Sequence, residues 1–255
     1  MAVFKKFYAR HYDLLYKDKD YRREADFFNS LIKKYGLKST KDILSFGAGT
    51  VNHEQFLVKK GYVIDGVELS AEMVMLGKSK IKKEKLRGVS LVKGDMRDFS
   101  STKRYDAVLA MFNIVAYCKG LKDMERFVAS ASKALKPGGV LVFDCWNAVA
   151  ARRNPPQNTW TKMRSGKKNL YKLVQASKMN KDDSFVRTAE LMVVQGDKVI
   201  GRHSETHVLY TWEVKDLKRI FHAYDLKLVL ASEFMNHKPI TNTRWSMAIV
   251  AKKLQ

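Results

Sequence analysis

Short apolar runs alternate with helical stretches along the chain from residue 41 onward. Five of these runs predict β-strands: Ile43–Phe46, Tyr62–Val67, Leu91–Val92, Tyr105–Phe112 and Val140–Trp146. Periodic apolar positions predict helices in three of the intervals: 52–60, 71–86 and 122–135. Strands separated by helices of this length predict βαβ units and a mainly parallel sheet. The strand runs are almost continuously apolar, which favours a sheet covered by helices on both faces.

The pattern changes after Trp146. Residues 147–168 are polar and predict a loop that contains Pro155 and Pro156. Three β-like runs follow and predict an antiparallel meander: Leu170–Ser177, Phe185–Val194 and Val199–Trp212. A helix at 214–224 and strands at 226–234 and 244–251 then return the chain to the main sheet. The sequence thus predicts an α/β core over 41–146 and 214–255, a β insertion over 147–213 and an N-terminal helical segment over 1–40.

Composition narrows the class of protein. The 255 residues are 45% hydrophobic and 29% charged, which is typical of a globular domain with a sizeable core. No apolar run approaches the roughly 18–20 residues that a membrane helix needs. Charges near the N-terminus stand where a signal peptide needs an apolar stretch. With only two cysteines, a disulfide framework is excluded. We therefore expect a cytoplasmic protein without a membrane span.

The charge balance is unusual. Lys and Arg number 48 against 26 Asp and Glu, a formal net charge of +22. Such a field attracts nucleic acid, anionic membranes or phosphorylated substrates. The basic residues are scattered over the whole chain, which is equally typical of a protein that solvates its surface with lysine. The charge alone therefore leaves the partner open.

A Gly47-Ala48-Gly49 turn follows the first predicted strand, and Glu68 ends the second. Glycines at the carboxyl edge of such a sheet let backbone amides approach a ligand, and an acid about 20 residues later can accept hydrogen bonds from ribose hydroxyls. The dinucleotide fingerprint needs a third glycine where this chain has Asn52. After the third strand, Asp95 and Met96 suit an adenine amino group and ring. The pattern therefore indicates an adenosine-containing ligand.

Five segments in this order resemble the class I S-adenosylmethionine-dependent methyltransferases: GAGT, VELS, GDMRDF, YDAVLAMF and LKPGGVLVFD. The N-terminal YDLLY, followed by KDY, is similar to a narrower group, and so are MFNIVAY and HVLY. That group comprises N,N-dimethyltransferases of nucleotide-linked amino sugars and related enzymes of polysaccharide and antibiotic pathways. The resemblance implies a Rossmann-like sheet with helices on both faces. It also implies that segment 1–40 closes the cofactor site and that the insertion covers the substrate side.

The same resemblance assigns residues to the cofactor, S-adenosylmethionine. They are Tyr12, Tyr21, Gly47, Ala48, Gly49, Glu68, Leu69, Asp95, Met96 and Met111. The glycine turn would line the methionine part, Glu68 would hold the ribose, and Asp95 would lie at the adenine edge. The family usually has an acid where this chain has Ser45, and often a glycine where it has Val51. The first departure puts a polar contact behind the glycine turn in doubt.

Methyl transfer needs an aligned acceptor and, for a protonated amine or a hydroxyl, a proton acceptor. Tyr117 and His207 are the candidate catalytic residues. The candidates for an aromatic wall beside the sulfonium are Tyr12, Tyr16, Tyr21 and Phe112, and Tyr16 and Phe112 are also candidates for binding the substrate. His203, Glu205 and His207 share one strand face, but same-face strand residues rarely converge on one ion. We therefore expect no metal.

The favoured hypothesis is N- or O-methylation of a small anionic acceptor, most simply a nucleotide-linked amino sugar or a polysaccharide precursor. Arg152 and Arg153 precede the β-strands of the insertion and would bind the pyrophosphate of such an acceptor. RNA is the second candidate acceptor, because of the basic surface. A cofactor-binding scaffold without catalysis is the third possibility, suggested by Ser45. The oligomeric state stays open.

Overall fold

The structure is a computed structural model that describes Phe4 and residues 6–165 and 169–255. The strands, in chain order, are β1 (Asp42–Phe46), β2 (Val63–Glu68), β3 (Val89–Lys93), β4 (Tyr105–Ala110), β5 (Leu135–Trp146), β6 (Thr159–Ser165), β7 (Asn169–Met179), β8 (Ser184–Gln195), β9 (Lys198–Tyr210), β10 (Leu226–Glu233) and β11 (Ser246–Lys253). The helices are α1 (Lys6–Leu15), α2 (Tyr21–Tyr35), α3 (Glu54–Val58), α4 (Ala71–Lys83), α5 (Gly120–Ala134), α6 (Ala148–Arg153) and α7 (Val214–Ala223), with a 3₁₀ turn at Ile114–Tyr117.

The central sheet has the strand order β10-β11-β5-β4-β1-β2-β3. The strands from β5 to β3 run parallel, whereas β11 pairs antiparallel with both β5 and β10. Alternate strand residues face opposite sides, so Leu44 and Phe143 pack against α5 and α7, and Ile43 and Val142 pack against α2. The predicted fold class, a Rossmann-like α/β sheet with helices on both faces, is confirmed.

The insertion is an antiparallel sheet of order β6-β7-β8-β9. One of its faces packs on α1, where Tyr8 lies in an apolar cluster with Leu173, Leu191 and Met163. On the core side, Asp13 of α1 accepts a hydrogen bond from the Thr50 hydroxyl in the turn after β1. The N-terminal helix therefore lies between the insertion and the carboxyl edge of the main sheet.

Three elements differ from the sequence prediction, all in segments that were expected to be loops. The structure has β6 and α6 within 147–168, and the 3₁₀ turn follows β4. Strand β6 is an edge strand in which Met163 is buried while Trp160 is 69% exposed. Its other side chains are mostly Thr, Lys and Arg, so the apolar alternation that marks a strand is hidden.

The turn after β4 has an unusual backbone. Phe112 and Asn113 both have positive φ, at 66° and 54°, which is uncommon for residues with a Cβ. Asp144 on the neighbouring β5 stabilises this turn, because its Oδ2 accepts the Asn113 N–H at 3.0 Å. The turn directs Phe112 to the carboxyl edge of the sheet, where the glycine turn also lies.

No helix in the described ranges is long and apolar enough to span a membrane.

Gly47 provides a test of how closely the 3₁₀ turn approaches the glycine turn. A Cβ at Gly47 would lie 2.3 Å from Cγ1 of Ile114, and its φ is +64°. We expect Gly47→Ala to lower the free energy of unfolding in urea by about 2–5 kcal/mol, from backbone strain and overpacking together. Gly120→Ala is the matched control, because Gly120 has a φ of +69° and a Cβ there would meet nothing within 4 Å. Equal losses for the two variants would contradict this interpretation.

Candidate active site

Three cavities lie side by side at the carboxyl edge of the main sheet. The first, of about 230 Å³, lies beyond the ends of β2 and β3. The second, of about 250 Å³, is enclosed by α1, the insertion and the turn after β4. The third is small, about 30 Å³, and lies against the glycine turn. Gly47 lines all three, so the glycine turn is their common wall.

Glu68 holds two backbone segments together at the end of β2. Its Oε2 accepts the Gly49 N–H at 3.1 Å, and its Oε1 accepts the Ser70 N–H at 2.8 Å. Burial raises the pKa of this carboxyl, while the backbone hydrogen bonds act in the opposite direction. An ionised carboxylate has about four acceptor positions, so both oxygens can still accept hydroxyl donors from the cavity. This geometry fits the predicted contact with a ribose.

The other residues predicted at the adenine end line the first cavity. Leu69, 53% exposed, and the half-buried Met96 provide apolar walls. Asp95 also lines it, but its carboxylate is bound by Arg97, whose Nε and Nη2 donate to the two oxygens. This pairing lowers the pKa of Asp95 against the effect of its partial burial. Any adenine donor would therefore share an oxygen that already accepts from Arg97.

The glycine turn and the N-terminal tyrosines meet at the small cavity. Its walls include Tyr12, Tyr21, Ala48, Gly49 and Met111, all predicted at the cofactor. Sequence reasoning missed a further wall residue, Glu54, which is 1% exposed. Ser45, the departure from the family pattern, donates its hydroxyl hydrogen bond to Glu54 Oε1 at 2.6 Å. A carboxylate is therefore present behind the glycine turn, although it comes from α3.

Tyr12, Tyr16 and Phe112 line the second cavity, as the aromatic-wall prediction expects. The rings of Tyr12 and Tyr16 are 4.8 Å apart, and Tyr16 meets Phe112 edge-on at 5.3 Å. The Nζ of Lys19 lies 4.0 Å from the Phe112 ring centroid, so a cation already occupies one face of this ring. The remaining aromatic surface toward the cavity comes mainly from the tyrosines.

Tyr117 and His207, predicted separately as catalytic candidates, are hydrogen-bonded to each other. The Tyr117 hydroxyl lies 2.9 Å from Nδ1 of His207, and Nε2 of His207 lies 3.7 Å from Glu205 Oε2. Burial lowers the pKa of His207, with a smaller contribution from Arg187, whereas Glu205 raises it. Burial also raises the pKa of Tyr117 well above its ordinary value. The pair therefore presents a protonated phenol to a neutral imidazole.

Arg187 on β8 is a cavity residue that sequence reasoning missed. It is the register partner of His207 on β9 and lines the second cavity with it. Its Nε donates to Ser177 Oγ at 3.0 Å, and no carboxylate in the described part of the chain forms an ion pair with it. Burial lowers its pKa. The sequence does contain a signal for it: Arg187 lies on the same strand face as Phe185 and Leu191, which are fully buried, so its side chain is expected to point inward.

Arg152 and Arg153, predicted at the substrate, do not line any of these three cavities. Arg152 is exposed at the end of α6 and binds Asp183 at 2.6 Å and Glu213. Arg153 is also exposed. The structure does not bring Arg152 to these cavities, and Asp183 and Glu213 neutralise its guanidinium on the protein surface.

A metal-binding cluster is absent from the residues that the structure describes. His203 is hydrogen-bonded to Glu205, with its Nε2 3.2 Å from Oε1. Glu205 also accepts the Phe4 N–H at 2.9 Å. His203, Glu205 and His207, which share one face of β9, are therefore engaged in hydrogen bonds within the protein.

Comparison with known proteins agrees with this geometry. Residues 43–139 match the family model of the methyltransferase domain. The chain is 33% identical over 141 residues to the dTDP-3-amino-3,4,6-trideoxy-alpha-D-glucopyranose N,N-dimethyltransferase of Streptomyces venezuelae, covering 54% of this chain and 57% of that protein. It is 26% identical to the dTDP-3-amino-3,6-dideoxy-alpha-D-glucopyranose N,N-dimethyltransferase of Streptomyces fradiae, covering 91% and 86%.

A solved structure shows the same fold over the whole length. The crystal structure of an S-adenosylmethionine-dependent methyltransferase from Clostridium acetobutylicum ATCC 824 has a TM-score of 0.81, with 19% identity and 100% of both chains covered. The predicted family resemblance, enzyme class and cofactor are confirmed. Glu68, the glycine turn and Glu54 line the cavities at the carboxyl edge where the sequence predicts the cofactor. Residues 43–139 therefore match a methyltransferase domain, and the whole chain is similar in fold to an S-adenosylmethionine-dependent methyltransferase.

Proposed function

We propose that the enzyme methylates the amino group of a nucleotide-linked amino sugar. The observation that carries this proposal is Arg187, a half-buried guanidinium that lines the second cavity without an ion-pair partner in the described residues. Desolvating a guanidinium is unfavourable unless an anion is bound beside it. A pyrophosphate offers oxygens that match its planar donors. The two dTDP-amino-sugar methyltransferases among its relatives support the same class of acceptor.

The second cavity also has the groups that an amine acceptor needs. A protonated amine has no free electron pair, so it must lose a proton before or during the transfer. We propose that the Tyr117 oxygen accepts this proton while its own proton passes to Nδ1 of His207, 2.9 Å away. Glu205, beside Nε2, stabilises the resulting imidazolium. In this relay the amine loses one proton and becomes neutral, and His207 gains one proton.

S-adenosylmethionine supplies an activated methyl group, so the protein needs only to bind, align and exclude water. The glycine turn, shared by all three cavities, fixes the position at which cofactor and acceptor would meet. Helix α1 covers this position with Tyr8, Tyr12 and Tyr16. Such alignment contributes about 7–11 kcal/mol in favourable model reactions.

The first experiment identifies the acceptor. We expect methyl-labelled S-adenosylmethionine to label a dTDP-linked 3-amino sugar, with mass spectrometry locating the methyl groups on nitrogen. The matched control is the same dTDP sugar with a hydroxyl in place of the amine, which we expect to stay unlabelled. An RNA pool runs in parallel because of the net charge of +22. Label in RNA alone would replace this proposal with the RNA acceptor, and label nowhere would leave a cofactor-binding scaffold.

The role of Arg187 has a separate test. We expect Arg187→Ala to raise the KM for the nucleotide-linked acceptor about 10- to 100-fold, the usual range for a lost charge-assisted hydrogen bond. Arg187→Lys keeps the charge but loses the planar donors, so its KM should lie between that of the wild-type enzyme and that of Arg187→Ala. Arg152→Ala is the control, because Arg152 binds Asp183 and Glu213 on the surface. Calorimetry should give an unchanged cofactor Kd for all three. An unchanged KM in Arg187→Ala would remove this role.

The proton relay predicts a pH dependence. Burial holds the pKa of His207 below its ordinary 6.5, so the neutral form predominates at pH 7. As the pH falls through this pKa, His207 becomes protonated and can no longer accept, so kcat/KM should fall. His207→Gln should reduce kcat about 100- to 10,000-fold and abolish this acid limb. His222→Gln, on the exposed side of α7, is the control and should retain the profile. A His207→Gln enzyme with the full acid limb would assign that limb to the acceptor amine.

A further inference from the structure

Glu54 is a buried acid that the proposed reaction does not use. It is 1% exposed, and its Oε1 accepts the hydrogen bond from Ser45, which is also 1% exposed at the end of β1. Its Oε2 is buried and accepts no hydrogen bond from the described residues. Burial raises the pKa of Glu54, which reflects the unfavourable removal of a carboxylate from water. Such an oxygen lacks a cationic or hydrogen-bonding partner.

Neighbouring bases cannot fill this role without leaving their own partners. His53 and Lys80 both lower the pKa of Glu54 electrostatically. However, Nε2 of His53 lies 2.8 Å from Glu24 Oε2, and Nζ of Lys80 donates to Asn52. The open side of Glu54 is the small cavity, whose other walls are the glycine turn and Tyr12. A small hydrogen-bond donor that enters this cavity could therefore bind Oε2, and a cationic donor would also offset the charge of the carboxylate.

S-adenosylmethionine carries such a group at the end of its methionine part. The contacts of Glu68 and the apolar walls of the first cavity fit the adenosine end, which places the methionine end on the opposite side of the glycine turn. We propose that Glu54 Oε2 binds the α-ammonium group of the cofactor and that Ser45 orients the Glu54 carboxylate for this contact. The Ser45–Glu54 pair thus supplies, from α3, the acid that the sequence lacks at the end of β1.

The acceptor amine is the alternative occupant of this site. The catalytic pair and Arg187 line the second cavity but not the small one, whereas Glu54 lines the small cavity only. This separation favours the cofactor. The inference rests on the cofactor alone and is independent of the acceptor, so its test is a binding measurement in which no acceptor is present.

The test compares two ligands by isothermal titration calorimetry: S-adenosylhomocysteine and its deaminated analogue, in which hydrogen replaces the ammonium group. We expect Glu54→Gln to raise the Kd of S-adenosylhomocysteine about 10- to 100-fold, because a charged hydrogen bond is lost. The Kd of the deaminated analogue should change less than about threefold, because it carries no ammonium group for Glu54 to bind. Glu84→Gln, exposed after α4, is the control and should leave both Kd values unchanged.

Equal losses for both ligands in Glu54→Gln would assign Glu54 a structural role and overturn the proposal, as would an unchanged Kd for S-adenosylhomocysteine. If Glu54→Gln does not fold, the same two ligands are compared in the wild-type protein and in Ser45→Ala. The wild-type protein should then prefer S-adenosylhomocysteine over its deaminated analogue at least about tenfold, and Ser45→Ala should reduce this preference. A wild-type preference below about threefold, or one that Ser45→Ala does not change, would overturn the proposal.

Discussion

The parallel pairing of β1 with β2 and β4 is the constraint on which the site depends. It brings the carboxyl ends of three strands, and the turns that follow them, to one edge of the sheet. Glu68 then fixes the relative position of two of these turns, since its carboxylate accepts the backbone N–H groups of Gly49 and Ser70. The third turn, after β4, is held by Asp144, whose carboxylate accepts the Asn113 N–H. Burial raises the pKa of Asp144 to about 6. The cofactor-facing surface is therefore built by carboxylates that bind backbone amides, and each of these carboxylates is itself buried.

The parts of this arrangement that the sequence predicted are those encoded locally. Only a few residue types fit the backbone at two of these positions. One is the glycine turn directly after an apolar run, and the other is the acid at the end of the next run. Contacts between distant segments cannot be recognised from a local sequence pattern. The hydrogen bond between Tyr117 and His207, for example, joins residues 90 positions apart. Arg152 was predicted at the substrate because of its charge and its place before the strands of the insertion. The sequence could not reveal its partners, Asp183 and Glu213, because they come from two later segments that the fold brings to α6.

The insertion explains how a fold shared by many methyltransferases acquires a particular acceptor site. Strands β8 and β9 pair in a register that sets Arg187 beside His207, so the proposed anion-binding group and the proposed proton acceptor occupy neighbouring positions on one sheet face. Helix α1 packs on the same face through Tyr8 and closes the cavity from the other side. The residues predicted at the cofactor come from the main sheet, its turns and the N-terminal helices, and none of them lies on this face of the insertion. The two proposed binding regions are therefore built from different parts of the chain.

The buried Glu54 at the glycine turn and the half-buried Arg187 in the second cavity both lack an ion-pair partner among the described residues. Each carries an unfavourable desolvation energy, and direct pairing between them would relieve both. The fold instead holds them in different cavities, one of which is lined by Glu54 and the other by Arg187. A zwitterionic cofactor end and an anionic acceptor would restore the missing interactions separately. Under the two proposals, the desolvation energy that these groups carry in the isolated protein is recovered when the cofactor and the acceptor bind.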